Sequence, residues 1–205
     1  MSDCGCHSEA TNEAERRILR VALALNATMF VVGLAAGLVA QSMGLIADSL
    51  DMLADACAYA IGLLAWTRDA RFKAVAARSS GMLLFLLGLG VLAGTAWRFM
   101  EGSAPQGLWM MAIAFLALVV NTTVLRLLGR FRHGEVHLRA TWLFTRVDVI
   151  ANLAVIVSGL LVLILHSAIP DLLIGAGIAL FILKEAVGIL REARDAASHA
   201  DVFSK

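Results

Sequence analysis

Proline is nearly absent from this 205-residue chain: there are two, Pro105 and Pro170, so long stretches are free to be helical. Cysteine is scarce as well. Three residues, Cys4, Cys6 and Cys57, make no disulfide framework. Cys4 and Cys6 are too close for a comfortable bridge and Cys57 lies inside an apolar stretch, so all three read as reduced thiols on or near a cytoplasmic face. Charge of one sign is also missing. A formal net charge of +1 argues against a nucleic-acid partner. The opening residues, MSDCGCHSEATNEAERR, lack the basic start and apolar run of a secretory signal.

What the chain has in excess is apolar residues, 60% of the total, with a mean hydropathy of +0.82. They fall in blocks of about 20 residues, the length that crosses a hydrocarbon core. The blocks run about Ile18–Ala40, Met43–Trp66, Gly81–Trp97, Leu108–Leu128, Trp142–Leu165 and Leu172–Leu190. The expected fold is an all-α integral membrane bundle of six transmembrane helices. Residues 1–17 are expected to be a flexible N-terminal tail, 18–191 the membrane domain and 192–205 a short C-terminal tail. Arg16, Arg17 and Arg20 lie at the N-terminal end of the first block. Arg68, Arg71, Lys73 and Arg78 follow the second, and Arg126, Arg130, Arg132 and Arg139 mark the joint after the fourth. Lys184, Arg191, Arg194 and Lys205 lie at the C-terminal end, and the alternate joints carry almost nothing beyond Arg98. This alternation predicts both termini in the cytoplasm.

The second block carries Asp48, Asp51 and Asp55, spaced to share one helical face, and the fifth carries Asp148 and Asn152, four apart. Carboxylates in lipid are expensive, and three on one stripe repel unless a cation or protons relieve them. Metal binding needs deprotonated carboxylates, so loading a divalent ion expels protons and reprotonation expels the ion. The plain alternative, structural ion pairing, needs basic partners, and the second block has none between Asp48 and Trp66. Arg146 lies two residues before Asp148, on another face. Asp48 also suits a role in packing or at a helix end. Asn152 suits a metal ligand or a hydrogen bond between helices. Asn26 and Asn121 read as helix–helix hydrogen bonders. Gly33, Gly37 and Gly188 read as close-packing positions, and Lys184 and Glu185 as an interfacial pair.

Two softer clusters remain. Cys4, Cys6 and His7 form a CxCH group that can capture zinc, cadmium or copper(I), or be a plain tail. His133 and His137 are four apart in the basic joint, where a solvated loop is the favoured reading.

The stretch LIADSLDMLADA resembles the second-helix signature of the cation diffusion facilitator family, with its paired positions at Asp51 and Asp55, and VDVIANLAVIVSGLL resembles the fifth-helix signature, with its Asp at Asp148. The resemblance implies a tetrahedral metal site between the second and fifth helices, antiport of a divalent ion against protons, alternating access and a homodimer. Two departures follow. Phe144 stands where the pattern usually has a His, so the fourth ligand must come from elsewhere: Asn152, Asp48 or water. The chain ends about 15 residues after Leu190, so the resemblance implies a compact form without the family's cytoplasmic domain, paired through its membrane helices.

The function expected is a metal/proton antiporter exporting zinc or cadmium across a bacterial inner membrane. Asp51, Asp55, Asp148 and Asn152 form the main site, with no prosthetic group and no enzymatic activity. Competing readings are a carrier of manganese, iron(II) or an organic cation, and a membrane subunit that senses metal through the CxCH tail without transporting it. A peptidase built on paired intramembrane aspartates is the weakest.

Overall fold

The computed structural model describes residues 4–64, 70–129 and 136–202; the side chains of 4–12, 70, 71, 73, 74, 136–146 and 195–202 fall outside that description. The described chain is all helix: α1 (Cys4–Val39), α2 (Met43–Leu64), α3 (Ala70–Glu101), α4 (Gly107–Leu128), α5 (Val136–Leu165) and α6 (Ile169–Val202). Four of these outrun their apolar blocks. Helix α3 takes in part of the polar joint before it, α5 starts at Val136, and α1 and α6 continue into segments read from sequence as tails. Those extensions hold no proline, and their alanine, arginine, lysine and glutamate residues are good helix formers, so nothing stops propagation.

Among the described residues five segments are long and apolar enough to cross a membrane: Glu13–Val39, Val75–Glu101, Gly107–Leu128, Val147–Leu165 and Ile169–Arg194. Helix α2 has the length, about 33 Å for 22 residues, but carries three carboxylates. The bundle resolves that conflict by placing α2 in the middle. It is the helix that touches all five others, while α3 packs on α6, α4 on α5 and α1 on α2 itself. Large apolar side chains such as Val31, Trp97, Phe115, Ile150 and Leu173 are left on the outside, as expected where lipid is the solvent.

Small residues set the closest crossings. A Cβ added at Gly37 would meet Ile46 Cγ1 at 2.8 Å, and one at Gly33 would meet Ser49 Cβ at 3.1 Å, so α1 and α2 pack through the glycines expected to do so. Gly107 and Gly159 bring α4 against α5: a Cβ on Gly107 would collide with the Gly159 carbonyl, and one on Gly159 would stand 2.8 Å from the Gly107 carbonyl. Gly188, by contrast, faces open space and is not a packing position.

One end of α2 is pinned by three other helices. Helix α1 closes with the Ser42 N–H donating to the Gly37 carbonyl (2.9 Å) and the Gln41 N–H to the Leu38 carbonyl (3.3 Å), with Gln41 at φ 53°. This is the double bond that ends many helices, with glutamine where glycine is usual. Ser42 then caps α2, its Oγ accepting the Leu45 N–H at 3.0 Å. Asp171, fully buried in the first turn of α6, accepts from Ser42 Oγ (2.6 Å), the Met43 N–H (2.7 Å) and the Gly44 N–H (3.0 Å). A negative group therefore sits on the positive end of α2. Arg98 of α3 donates to the Gln41 carbonyl, and the Gln106 N–H, just before α4, donates to the Ala40 carbonyl at 3.0 Å.

Asp171→Ala strands three buried donors at about 1–3 kcal/mol each. It is expected to cost on the order of 3 kcal/mol or more, read as a clear fall in the melting temperature of the detergent-solubilised protein, with Asp171→Asn losing less. Gly107→Ala forces α4 off α5 and is expected to lower the melting temperature by an amount that Ala at the open position Gly188 does not.

Candidate metal centre

The aspartates of α2 keep the register that their spacing dictates. Asp48 and Asp51 are buried and Asp55 half-buried on a helix wrapped by its neighbours. Helix α5 contributes Asp148, 7% exposed, and Asn152, fully buried. Helix α5 packs on α2, and Asp148 lies in the electrostatic neighbourhood of Asp51 and Asp55. The α2–α5 pairing of acids expected from sequence is thus brought together. No lysine or arginine is among the groups acting on Asp48, Asp51, Asp55 or Asp148, so ion pairing does not account for them among the described residues. Among the described residues Asp148 Oδ2 is buried without a hydrogen-bond partner. The arrangement is nonetheless not a finished cage: among the described residues no three histidine, cysteine or acidic side chains converge as ligands of a single ion.

Asp48 and Asn152 belong to a separate polar chain. Asn152 Nδ2 donates to Asp48 Oδ1 at 2.6 Å, and Asn121 Nδ2 on α4 donates to Asn152 Oδ1 at 3.0 Å. Three helices are thereby joined through two carboxamides and a carboxylate. Asn121 is the interhelical hydrogen bonder that its depth in an apolar block suggested. Asn26 is not: its Nδ2 donates back to the Ala22 carbonyl of its own helix at 3.0 Å, the local bond that short polar side chains find within a helix.

Two groups escaped the sequence reading. Tyr59, one turn beyond Asp55, donates its hydroxyl to Asp55 Oδ2 at 3.1 Å; the four-residue spacing was the available signal. Glu185, read from sequence as paired with Lys184, also lies within electrostatic reach of Asp51 and Asp55. Its distance along the chain from α2 hid this. The CxCH residues Cys4, Cys6 and His7 fall within the first turns of α1, but their side chains lie outside the described residues, as do those of Phe144 and His137; His133 lies outside them altogether. Cys57 is a free thiol.

A carboxylate cluster of this kind, sealed in an apolar bundle, can hold a hard or borderline cation, or protons. The comparisons point the same way. The sequence is 26% identical over 205 residues to the cation efflux system protein CzcD of an Alcaligenes species, covering 91% of this chain and 65% of that protein. It is 26% identical over 189 residues to the metal cation efflux system protein CzcD of Cupriavidus metallidurans, covering 86% and 60%. The chain therefore spans a little under two thirds of the length of these relatives. The pattern of the cation efflux transmembrane domain matches residues 19–196, most of the chain and both acid-bearing helices, and the protein belongs to the cation efflux family.

Proposed function

We propose that this protein exports divalent metal ions from the cytoplasm in exchange for protons, with zinc or cadmium as the preferred cargo. The observation that carries the reading is the gathering of Asp51 and Asp55 on α2 with Asp148 on α5 in the bundle interior, with no basic side chain acting on them among the described residues. In this reading the acids hold protons whenever they hold no divalent ion. A divalent ion replaces those protons, and returning protons displace the ion. Among the described residues no three donors converge on one point, so in this reading loading draws Asp51, Asp55 and Asp148 inward by small side-chain rotations. Asn152 Oδ1, which accepts one bond from Asn121, retains a second lone pair for the fourth position, and Asp48 is the alternative donor.

The same reading takes α2 as the sixth crossing, shielded by the other five helices, and places both termini in the cytoplasm on the arginine and lysine alternation. A homodimer formed through the membrane helices and a bacterial inner membrane complete it; the latter suits the bacterial relatives named above. An all-oxygen donor set is harder than one containing imidazole, so manganese and iron(II) form the second reading. The CxCH group at the start of α1 serves as a capture site for the softer ions.

In proteoliposomes, zinc uptake driven by an imposed pH gradient is expected to fall by about 100-fold or more in Asp51→Asn and in Asp148→Asn, since each substitution removes one of three charged donors and a proton carrier. Collapse of the gradient with a protonophore is expected to stop net uptake in wild type. Equal flux in wild type and Asp51→Asn would remove the site; absence of flux for zinc, cadmium and manganese alike would remove the exchanger. Cleavage of a membrane peptide without metal flux would favour the peptidase reading instead.

A further inference from the structure

The polar chain beside the aspartates assigns a task to a helix that supplies no acid. We propose that Asn121 of α4 is a positioning residue of the metal site, fixing the orientation of the Asn152 carboxamide and so deciding which atom Asn152 offers. The inference rests on the proposed metal site and deepens it.

The hydrogen bonds set the direction of the chain. Asn152 turns its NH₂ to Asp48, Nδ2 donating to Oδ1 at 2.6 Å. Its carbonyl oxygen must then face the other way and needs a donor. Asn121 Nδ2 supplies it at 3.0 Å. All three side chains are buried, Asn121 and Asn152 almost completely. Among the described residues Asn121 Oδ1 has no hydrogen-bond partner, so the bond that Asn121 makes there is the one its NH₂ gives to Asn152. With a donor at position 121, the Asn152 oxygen is held away from Asp48, one lone pair used and one available to an ion. With no donor there, nothing opposes rotation of the Asn152 amide, and its NH₂, which no cation accepts as a ligand, can take the oxygen's place.

The test is a double-mutant cycle on the full chain. Asn121→Leu keeps the volume and removes the donor; Asn121→Ala removes it without filling the space, and carries the test should the leucine variant fail to fold. Zinc affinity is measured calorimetrically on detergent-solubilised protein, and half-saturating zinc and maximal flux in proteoliposomes. Either variant is expected to weaken zinc binding and raise half-saturation about tenfold or more, the usual effect of losing a group that orients a metal ligand. Maximal flux is expected to stay within about twofold, and in an Asn152→Ala background the effect of changing Asn121 is expected to vanish. An equal effect in that background, or a fall in maximal flux with unchanged affinity, makes Asn121 a structural residue and overturns the inference. If Asp51→Asn abolishes flux while Asn121→Leu and Asn121→Ala leave affinity unchanged, the inference falls and the metal site stands. If wild type neither binds nor carries zinc, cadmium or manganese, the site reading fails and this inference goes with it.

Discussion

Everything in this bundle is arranged around the cost of putting carboxylates where there is no water. Helix α2 carries Asp48, Asp51 and Asp55 within two turns, and an aspartate facing hydrocarbon is penalised by several kcal/mol. That penalty selects the architecture. The acid-bearing helix cannot lie on the perimeter, so it is packed against each of the other five. The lipid-facing surface falls to helices that are apolar enough for it, with Trp97, Phe115, Ile150 and Leu173 exposed. The close approaches through Gly33, Gly37, Gly107 and Gly159 follow from the same demand. A helix that must be enclosed needs neighbours able to come near, and in lipid that closeness is where packing energy is found.

Enclosure does not set the level of α2 along the bundle, and the acids must meet Asp148 and Asn152 at the right height. The pinned end does that. Ser42 and Asp171 together take the N–H groups of Met43, Gly44 and Leu45, while Arg98 and Gln106 hold the preceding turn. Asp171 thus uses chemistry opposite to that of the site. Its carboxylate is saturated by donors at a helix N-terminus, a stable resting place for negative charge. Among the described residues Asp51, Asp55 and Asp148 have each other, Tyr59, Asp48 and Glu185 acting on them. One buried aspartate is satisfied by helix-end donors, and the clustered ones have no such set, which is why the proposed function gives the cation to them.

How much of this was readable in the sequence divides along physical lines. Six helices were legible because lipid demands long apolar blocks, and α2 because its apolar residues continue on both sides of the acids. The shared face of the acids within each block was legible from spacing, and the pairing of the second block with the fifth from the motif resemblance. Helix ends were not, because apolarity stops at the membrane edge while helix propensity does not, as the extensions of α1, α3, α5 and α6 show. Asp171 was invisible for a different reason: an acid after Pro170 reads as a first-turn residue of its own helix, and nothing local says that it caps another helix more than a hundred residues away. Gly188 and Asn26 show the converse error, since a small or polar residue at depth has a packing reading that only the neighbouring helix can grant.

The division of labour between the two asparagines sharpens the chemistry. Helical periodicity places Asn152 one turn from Asp148 and stops there; it cannot say whether oxygen or NH₂ faces the acids. That choice is made by Asp48, which accepts, and by Asn121, which donates. A carboxamide held from both sides presents a fixed neutral oxygen. In the proposed exchanger this would separate two duties that carboxylates alone must share: the acids would respond to protons while the amide kept its geometry. The affinity for a cation would then change with the protons held at Asp51, Asp55 and Asp148, while the neutral end of the proposed donor set stayed where the packing of α4 against α5 puts it.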